Sequence, residues 1–417
     1  MKKTILVLLC VLVLLAPVFA GGSKDKAPAS AGKQTLVFWN VFTGSDGEIL
    51  REICERFNKT NAQGITIQVD IMPNDQLQQK LPAAIATNTA PDMVLFGIEY
   101  LAPYVNSGSL EDISDFWPVM GVDKANYLDS VVKLSQVDGK LYGVPMQYNV
   151  QYLYWNKDLF RAAGLNPDKA PATLAELSEY AVKLTNPSKN QFGLALPVGV
   201  SYPHLLWANG GDINDPARSV NLLSSPENLA TLKWLQDLTV NKKVTPINVT
   251  GPEADMMLQN GQVAMYMSGP WQINGLRNQG VNFGVGSVPA GSSGSFSPAG
   301  GCSYMIPKGT SAEKKAAVYA FMKYWLSDDI LKEWSLRNGF PVWSKSLQTR
   351  SDIQNDKVLF DISKATEIGR SYNLGYALAS QIDRDAIVPM FDSVIDGSVS
   401  PESALKTASD KLDTILK

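Results

Sequence analysis

The sequence predicts a doubly wound α/β fold divided into two or three domains, on three observations. Residues 35–96 alternate strand, helix, strand, helix, strand, the order that builds an open sheet with helices on its faces. A second series of strand and helix signals begins near Lys140, once the first is complete. The chain has 417 residues, too many for one ordinary core at roughly 100–200 residues per domain.

The N-terminus reads as an export leader. Lys2 and Lys3 precede an apolar run from Ile5 to Leu15, and Val18-Phe19-Ala20 supplies the small-residue end of a cleavage site. The run is shorter than the ~18–20 residues of a spanning helix, and Pro17 interrupts it. Residues 1–20 are therefore expected to be removed after Ala20, placing the protein in the periplasm or on the outer face of a bacterium. Cys10 lies inside the apolar run, where lipid modification is not expected. Residues 21–34 are small and polar and read as a flexible tether.

Order is expected from Thr35. Thr35–Trp39 is rich in strand formers, and Ile49, Leu50, Ile53 and Phe57 recur at helical spacing. Asp46 and Glu48 sit where a helix start favours negative charge. Ile65–Ile71 alternates as a strand, residues 76–87 read as a helix, and Asp92–Phe96 reads as a third strand. Ligands in such sheets collect beyond the carboxyl ends of the strands. Phe42 and Glu99 lie there.

In the second unit, Lys140–Pro145 leads into a strand-like stretch from Tyr148 to Trp155. Thr173 and Glu176 form a capping box for a helix to about Leu184. Ser225-Pro226-Glu227 opens another helix, with proline where its missing N–H costs nothing. Pro289–Gly301 is rich in Gly and Ser and fits a linker, a loop or a crossover between domains. Ser311 caps a helix through Leu326, and Ser400-Pro401-Glu402 starts the last one.

Composition narrows the function. Removing the two leader lysines takes the formal net charge from −3 to −5, with no basic stretch to meet nucleic acid. Only Cys54 and Cys302 would remain; two free, buried thiols are expected. His204 is the one histidine, which excludes His-pair zinc motifs. No GxSxG elbow, Walker loop, GxGxxG or CxxC occurs. No cofactor and no enzymatic activity are expected, and a monomer is. A secreted carbohydrate-active enzyme is the rival class, because carboxylate pairs that hydrolyse glycosides are defined only in space.

Four stretches in order resemble the family of ABC-importer substrate-binding proteins that includes the maltose-binding protein. They are Leu36–Trp39 with Arg56-Phe57-Asn58; Ala90–Val94 through Tyr104–Gly108; Leu141–Pro145 to Trp155–Phe160 and Ala163-Gly164-Leu165; and Gly261–Met265 with Ser268–Trp271. Asn209-Gly210-Gly211 and Asn338–Val342 add smaller matches. The resemblance implies a periplasmic-binding-protein-like fold of two α/β lobes joined by hinge strands, with a central ligand cleft. It puts lobe one at 35–145 and 303–350, lobe two at 150–298 and 355–417, and the hinge near 145–150, 298–303 and 350–355. It implies capture of an extracellular carbohydrate by lobe closure and delivery to the importer's membrane subunits, although signalling to a receptor would use the same closure.

A sugar offers hydroxyls at its edge and C–H groups on its faces, so its cleft needs aromatic plates and side chains that bond twice. The resemblance places Trp271 against the sugar, behind Gly269-Pro270. Trp39, at the end of the first strand, is a second aromatic candidate beside Phe42. Glu99 matches the position of a ligand carboxylate in those relatives. Asn149 stands where they carry another ligand-binding acid, flanked by Gln147 and Tyr148. Tyr202 and Trp207 approach Asn209-Gly210-Gly211, with His204 read as structural. Gly300 and Gly301 permit close backbone approach or a hinge.

The stretch from Gly369 to Asp383 also resembles the glycerol-3-phosphate-binding branch of the same family. There an arginine meets the phosphate, and Arg370 is the candidate, suited as a planar two-pronged donor. A phosphorylated polyol is therefore the alternative ligand.

Overall fold

The computed structural model describes residues 34–215, 217, 219–371, 376 and 378–417. The expected leader and all of the tether but Gln34 lie outside the described residues, as does part of the stretch after Arg370. Gln34 itself already begins the first strand.

Strands β1 (Gln34–Asn40), β2 (Ile65–Ile71) and β3 (Met93–Gly97) form a parallel unit with β1 in the middle. Helices Ser45–Thr60 and Asn74–Ala86 make the crossovers. Alternation along β1 explains the layering, because successive side chains leave opposite faces of a strand. Leu36 and Phe38 enter the main core, where Phe38 meets the rings of Tyr304 and Phe321. Trp39 enters a second cluster with Leu77, Leu81, Val94 and Phe96. The carboxylate of Asp92 accepts from the Val37 amide (2.9 Å) and from Lys314, pinning the start of β3.

After a short hairpin, β4 (Gln136–Val137) and β5 (Lys140–Leu141), come β6 (Gly143–Asn149) and β7 (Tyr152–Asn156). The stretch read as one strand from Tyr148 to Trp155 is thus two, in different sheets. Between them Gln151 leaves the ladder: its amide donates to Ser297 Oγ (2.7 Å), which donates back to the Gln151 carbonyl (3.1 Å). Strand β7 lies between β8 (Met265–Ser268) and β9 (Phe283–Gly286) in an antiparallel sheet.

Strand β10 (Ser297–Met305) returns the chain. It is antiparallel to β3 and to β6, with a register shift between Cys302 and Ser303, and β11 (Gly369–Ser371) joins its first residues in parallel. The Gly/Ser-rich run is accordingly a turn closed by Gly291 and Gly294 followed by this strand. Two α/β lobes result, and β6 and β10 run side by side between them.

The expected helices form where their caps direct. Ser225, Ser311 and Ser400 each accept from an amide three residues on. Thr173 accepts from Glu176 N (3.1 Å), but the Glu176 carboxylate reaches Ala172 N and not the threonine amide, so only half of the expected box closes. Trp325, Trp334 and Trp343 are buried. Among the described residues Cys54 and Cys302 are free; Cys54 is buried, whereas Cys302 is only half-buried as a residue, unlike the expectation of two buried cysteines. Among the described residues, no helix is long and apolar enough to cross a membrane.

Candidate functional site

Strand β10 is buried from Ser303 to Met305, but Gly300, Gly301 and Cys302 are partly open. This opening defines the candidate site. Gly301 has φ +157°, and a Cβ there would fall 2.3 Å from the Gln147 carbonyl oxygen. Only glycine lets β6 and β10 approach so closely. Opposite Gly300 lies Asn149, whose amide nitrogen is 3.2 Å from the place a Cβ would take.

Gln147 and Glu99 approach Cys302 from neighbouring strands. Gln147 faces it from β6, with its amide nitrogen 3.9 Å from Sγ. Gln147 is itself fixed, because its Oε1 accepts from the Trp334 indole (3.1 Å). Glu99 follows β3, whose Gly97 pairs with Cys302. The Glu99 carboxylate folds back over Gly97, where a Cβ would lie 2.1 Å from Oε1. Water reaches Glu99, yet protein crowds it on its other sides, and this burial raises its pKa above the ordinary carboxylate value. Burial also pushes the Cys302 thiol up, with Glu99 and Asp46 adding to the effect and Gln147 opposing it.

In the second sheet, Trp271 lies past the carboxyl end of β8 and is 52 % exposed. Its six-membered ring rests on Gly269, where a Cβ would come within 2.0 Å of Cζ3. From β11, Arg370 donates to Asp212 Oδ2 (2.5 Å) and stacks over Trp207, with Cζ 4.4 Å from the ring centroid. The Trp207 indole donates to the other oxygen of Asp212 (2.9 Å). Arg370 is paired with Pro298 of β10, so this cluster adjoins the start of that strand.

Several expected contacts take other roles. Trp39 is buried in its own core cluster beneath the Lys80 ammonium, 4.1 Å away, so it is packing. Phe42 is buried and stacks on Trp334 (5.8 Å, 20°), behind Gln147. Tyr148 is fully buried, and its hydroxyl donates to the Thr366 carbonyl (3.3 Å). Tyr202 is buried and donates to the Pro197 carbonyl. Trp207 lies under Arg370 and offers no open face of its own. Strand phase turns Trp39 and Tyr148 inward and helix phase turns Trp207 inward, whereas Phe42 and Tyr202 are buried just outside an element. His204 is buried and neutral, its pKa lowered to about 3 by burial, as suits a structural histidine. Sequence reasoning missed Asp212, although it directly follows Gly210-Gly211, and missed Asp255, which no local motif marks.

Two further hollows, of about 360 Å³ beside Phe360 and Lys364 and about 510 Å³ beside Pro226 and Trp234, share no residue with this set. Among the described residues no group of three or more His, Cys, Asp or Glu could hold a metal ion.

Comparison with known proteins agrees with this architecture. The model of a family described as bacterial extracellular solute-binding protein matches residues 52–360. A binding protein of Brucella abortus is 25% identical over 389 residues, covering 90% of this chain and 92% of the relative. The sn-glycerol-3-phosphate-binding periplasmic protein UgpB of Escherichia coli is 23% identical over 416 residues, covering 92% of each. A solute-binding protein of an ABC transporter from Thermotoga lettingae, bound with alpha-D-tagatose, superposes with a TM-score of 0.80 at 24% identity, over 92% of this chain and all of that one.

Proposed function

Because the chain belongs to the bacterial extracellular solute-binding protein family, we propose that it captures a neutral carbohydrate between its lobes and presents it to the membrane subunits of an ABC importer. It acts outside the cytoplasm, as a monomer, without a cofactor, without nucleic acid and without altering its ligand. The lobes comprise 35–145 with 303–350, and 150–298 with 355–417. They close about the hinge near 145–150, 298–303 and 350–355, a motion shared by periplasmic binding proteins.

One observation carries the choice of ligand: the charge of Arg370 is already engaged by Asp212, while Glu99 has no cation among its described partners. A carboxylate is an acceptor, suited to hydroxyl donors and hostile to a phosphate. Glu99, Asn149 and Gln147 would bond the sugar's edge, Gly301 would admit it close to the backbone, and Trp271 would cover a face.

A phosphorylated polyol is the second reading, favoured by the Arg370 side chain remaining 40% exposed beside its partner. Calorimetry with maltose-type sugars, monosaccharides and glycerol-3-phosphate tests the choice. Heat from a sugar alone is expected; heat from glycerol-3-phosphate alone would reverse it.

A further inference from the structure

Two indoles grip strand β6 at consecutive residues. Trp325, which ends the helix Ala312–Trp325, donates to the Met146 carbonyl (2.9 Å). Trp334, on the helix Asp328–Asn338, donates to Gln147 Oε1 (3.1 Å). The first bond holds backbone. The second holds a side chain, and Trp334 itself is packed on two sides: it stacks on Phe42 (5.8 Å, 20°) and meets Trp325 (5.2 Å, 63°). Trp334 is 2 % exposed and Gln147 9 %, so the amide is the outer member of the pair.

An indole N–H only donates, so it accepts the Gln147 amide in one orientation: Oε1 toward the indole and the N–H₂ away from it. That N–H₂ lies beside Cys302, 3.9 Å from Sγ, and has no oxygen acceptor among the described residues. Sulfur is a weak acceptor, so the amine keeps most of its capacity to donate. Gln147 and Glu99 approach Cys302 from neighbouring strands, one as a fixed donor and the other as a carboxylate acceptor. A sugar hydroxyl, which both donates and accepts, suits such a pair.

We propose that Trp334 is a positioning residue: by holding Gln147 Oε1 it turns the amide nitrogen toward the opening at Gly300–Cys302, as a donor to a sugar oxygen. The proposal rests on the carbohydrate reading above. Phenylalanine would supply much of the same packing; the N–H is what tryptophan adds. Without that bond the last torsion of glutamine is broad and roughly two-fold, and the amide presents oxygen as readily as nitrogen. Fixing it before the ligand arrives is worth roughly two- to tenfold in affinity.

The test uses the full-length mature protein labelled with ¹⁵N in glutamine and tryptophan. The Gln147 side-chain N–H₂ resonances are assigned by their loss in Gln147→Ala, and are expected to shift and broaden in Trp334→Phe. Thermal melts confirm that each variant is folded. Gln147→Ala also gives a reading that leaves Trp334 intact: one indole N–H resonance should move and exchange faster with deuterium. Calorimetry with maltose and with D-tagatose then compares Trp334→Phe in the wild-type and Gln147→Ala backgrounds. The roughly two- to tenfold loss is expected in the first and absent in the second. Indole resonances unchanged by Gln147→Ala, or an equal loss in both backgrounds, would overturn the proposal. If the wild type binds neither sugar but does bind glycerol-3-phosphate, the carbohydrate reading fails, while the amide and indole resonances still decide whether Trp334 holds Gln147.

Discussion

Arg370 and Asp212 join β11 to the loop after Gly210-Gly211 through a 2.5 Å ion pair, with Trp207 beneath the guanidinium and bonded to the same carboxylate. The arginine that might have met a phosphate is already satisfied. This pair bears on ligand choice more than on stability, since a part-exposed ion pair is worth about 1 kcal/mol or less. Asp212→Asn is expected to leave the melting temperature nearly unchanged and to let glycerol-3-phosphate bind weakly where the wild type does not. Arg370→Ala should leave sugar affinity unchanged. Calorimetry on both variants checks the pair, and strong loss of sugar binding in Arg370→Ala would place the arginine in the site.

His204 gives a pH prediction of definite sign. Burial lowers its pKa from 6.5 to about 3, so between these values the unfolded chain takes up a proton that the folded chain refuses. Its contribution to stability is therefore intact above 6.5 and lost as pH falls toward 3, by up to about 1.4 kcal/mol per pH unit. Both ring nitrogens lack a hydrogen-bond partner among the described residues, so an apolar replacement leaves no partner orphaned. His204→Leu is expected to be as stable as the wild type at neutral pH and more stable in weak acid. Urea unfolding at several pH values measures the difference, and parallel pH profiles would refute the assignment.

The legibility of the chain follows from what each signal reports. Periodicity and caps reveal local geometry, so β1, β2, β3 and the helices begun by Ser225, Ser311 and Ser400 could be read directly. The break at Gln151 could not, because it depends on Ser297, 146 residues away. The site divides in the same manner. Glu99 and Trp271 stand next to glycines that their side chains cover, and those glycines were visible as neighbours in sequence. Trp39 was chosen as an aromatic at a strand end and Tyr148 as a neighbour of Asn149, but an aromatic in a two-sided sheet has a core face open to it, and both took it. Asp255 was invisible because its partners Ser268 and Gln272 come from another strand and helix.

Glu99 should titrate in the opposite sense to His204. Burial raises its pKa above 4.5, so over a window above that value the folded protein holds a proton the unfolded chain has released. Stability is then lost as pH rises through the folded pKa. Glu99→Gln removes this effect. The variant is expected to melt higher than the wild type at neutral pH in the absence of sugar, with the gap closing in acid. It should also bind sugar more weakly, because the amide offers fewer acceptor sites to hydroxyls. Melting curves and calorimetry on one preparation separate the two outcomes.

At Gly301 the strands β6 and β10 leave no room for a side chain. A Cβ would sit 2.3 Å from the Gln147 carbonyl, a distance that real Cβ contacts do not reach, and both partners are backbone of adjoining strands. Gly301→Ala must therefore push β6 and β10 apart next to the register shift at Cys302. Overpacking of this kind costs typically ~1–3 kcal/mol. The displaced strand carries Gln147 and Asn149, so sugar affinity should fall along with the melting temperature. Gly300→Ala is the control: its Cβ would meet only the Asn149 amide at 3.2 Å, a side chain that can move. It should cost less stability while still weakening the sugar contact made by Asn149. Equal melting temperatures for the two variants would show that the hinge strands yield freely at Gly301.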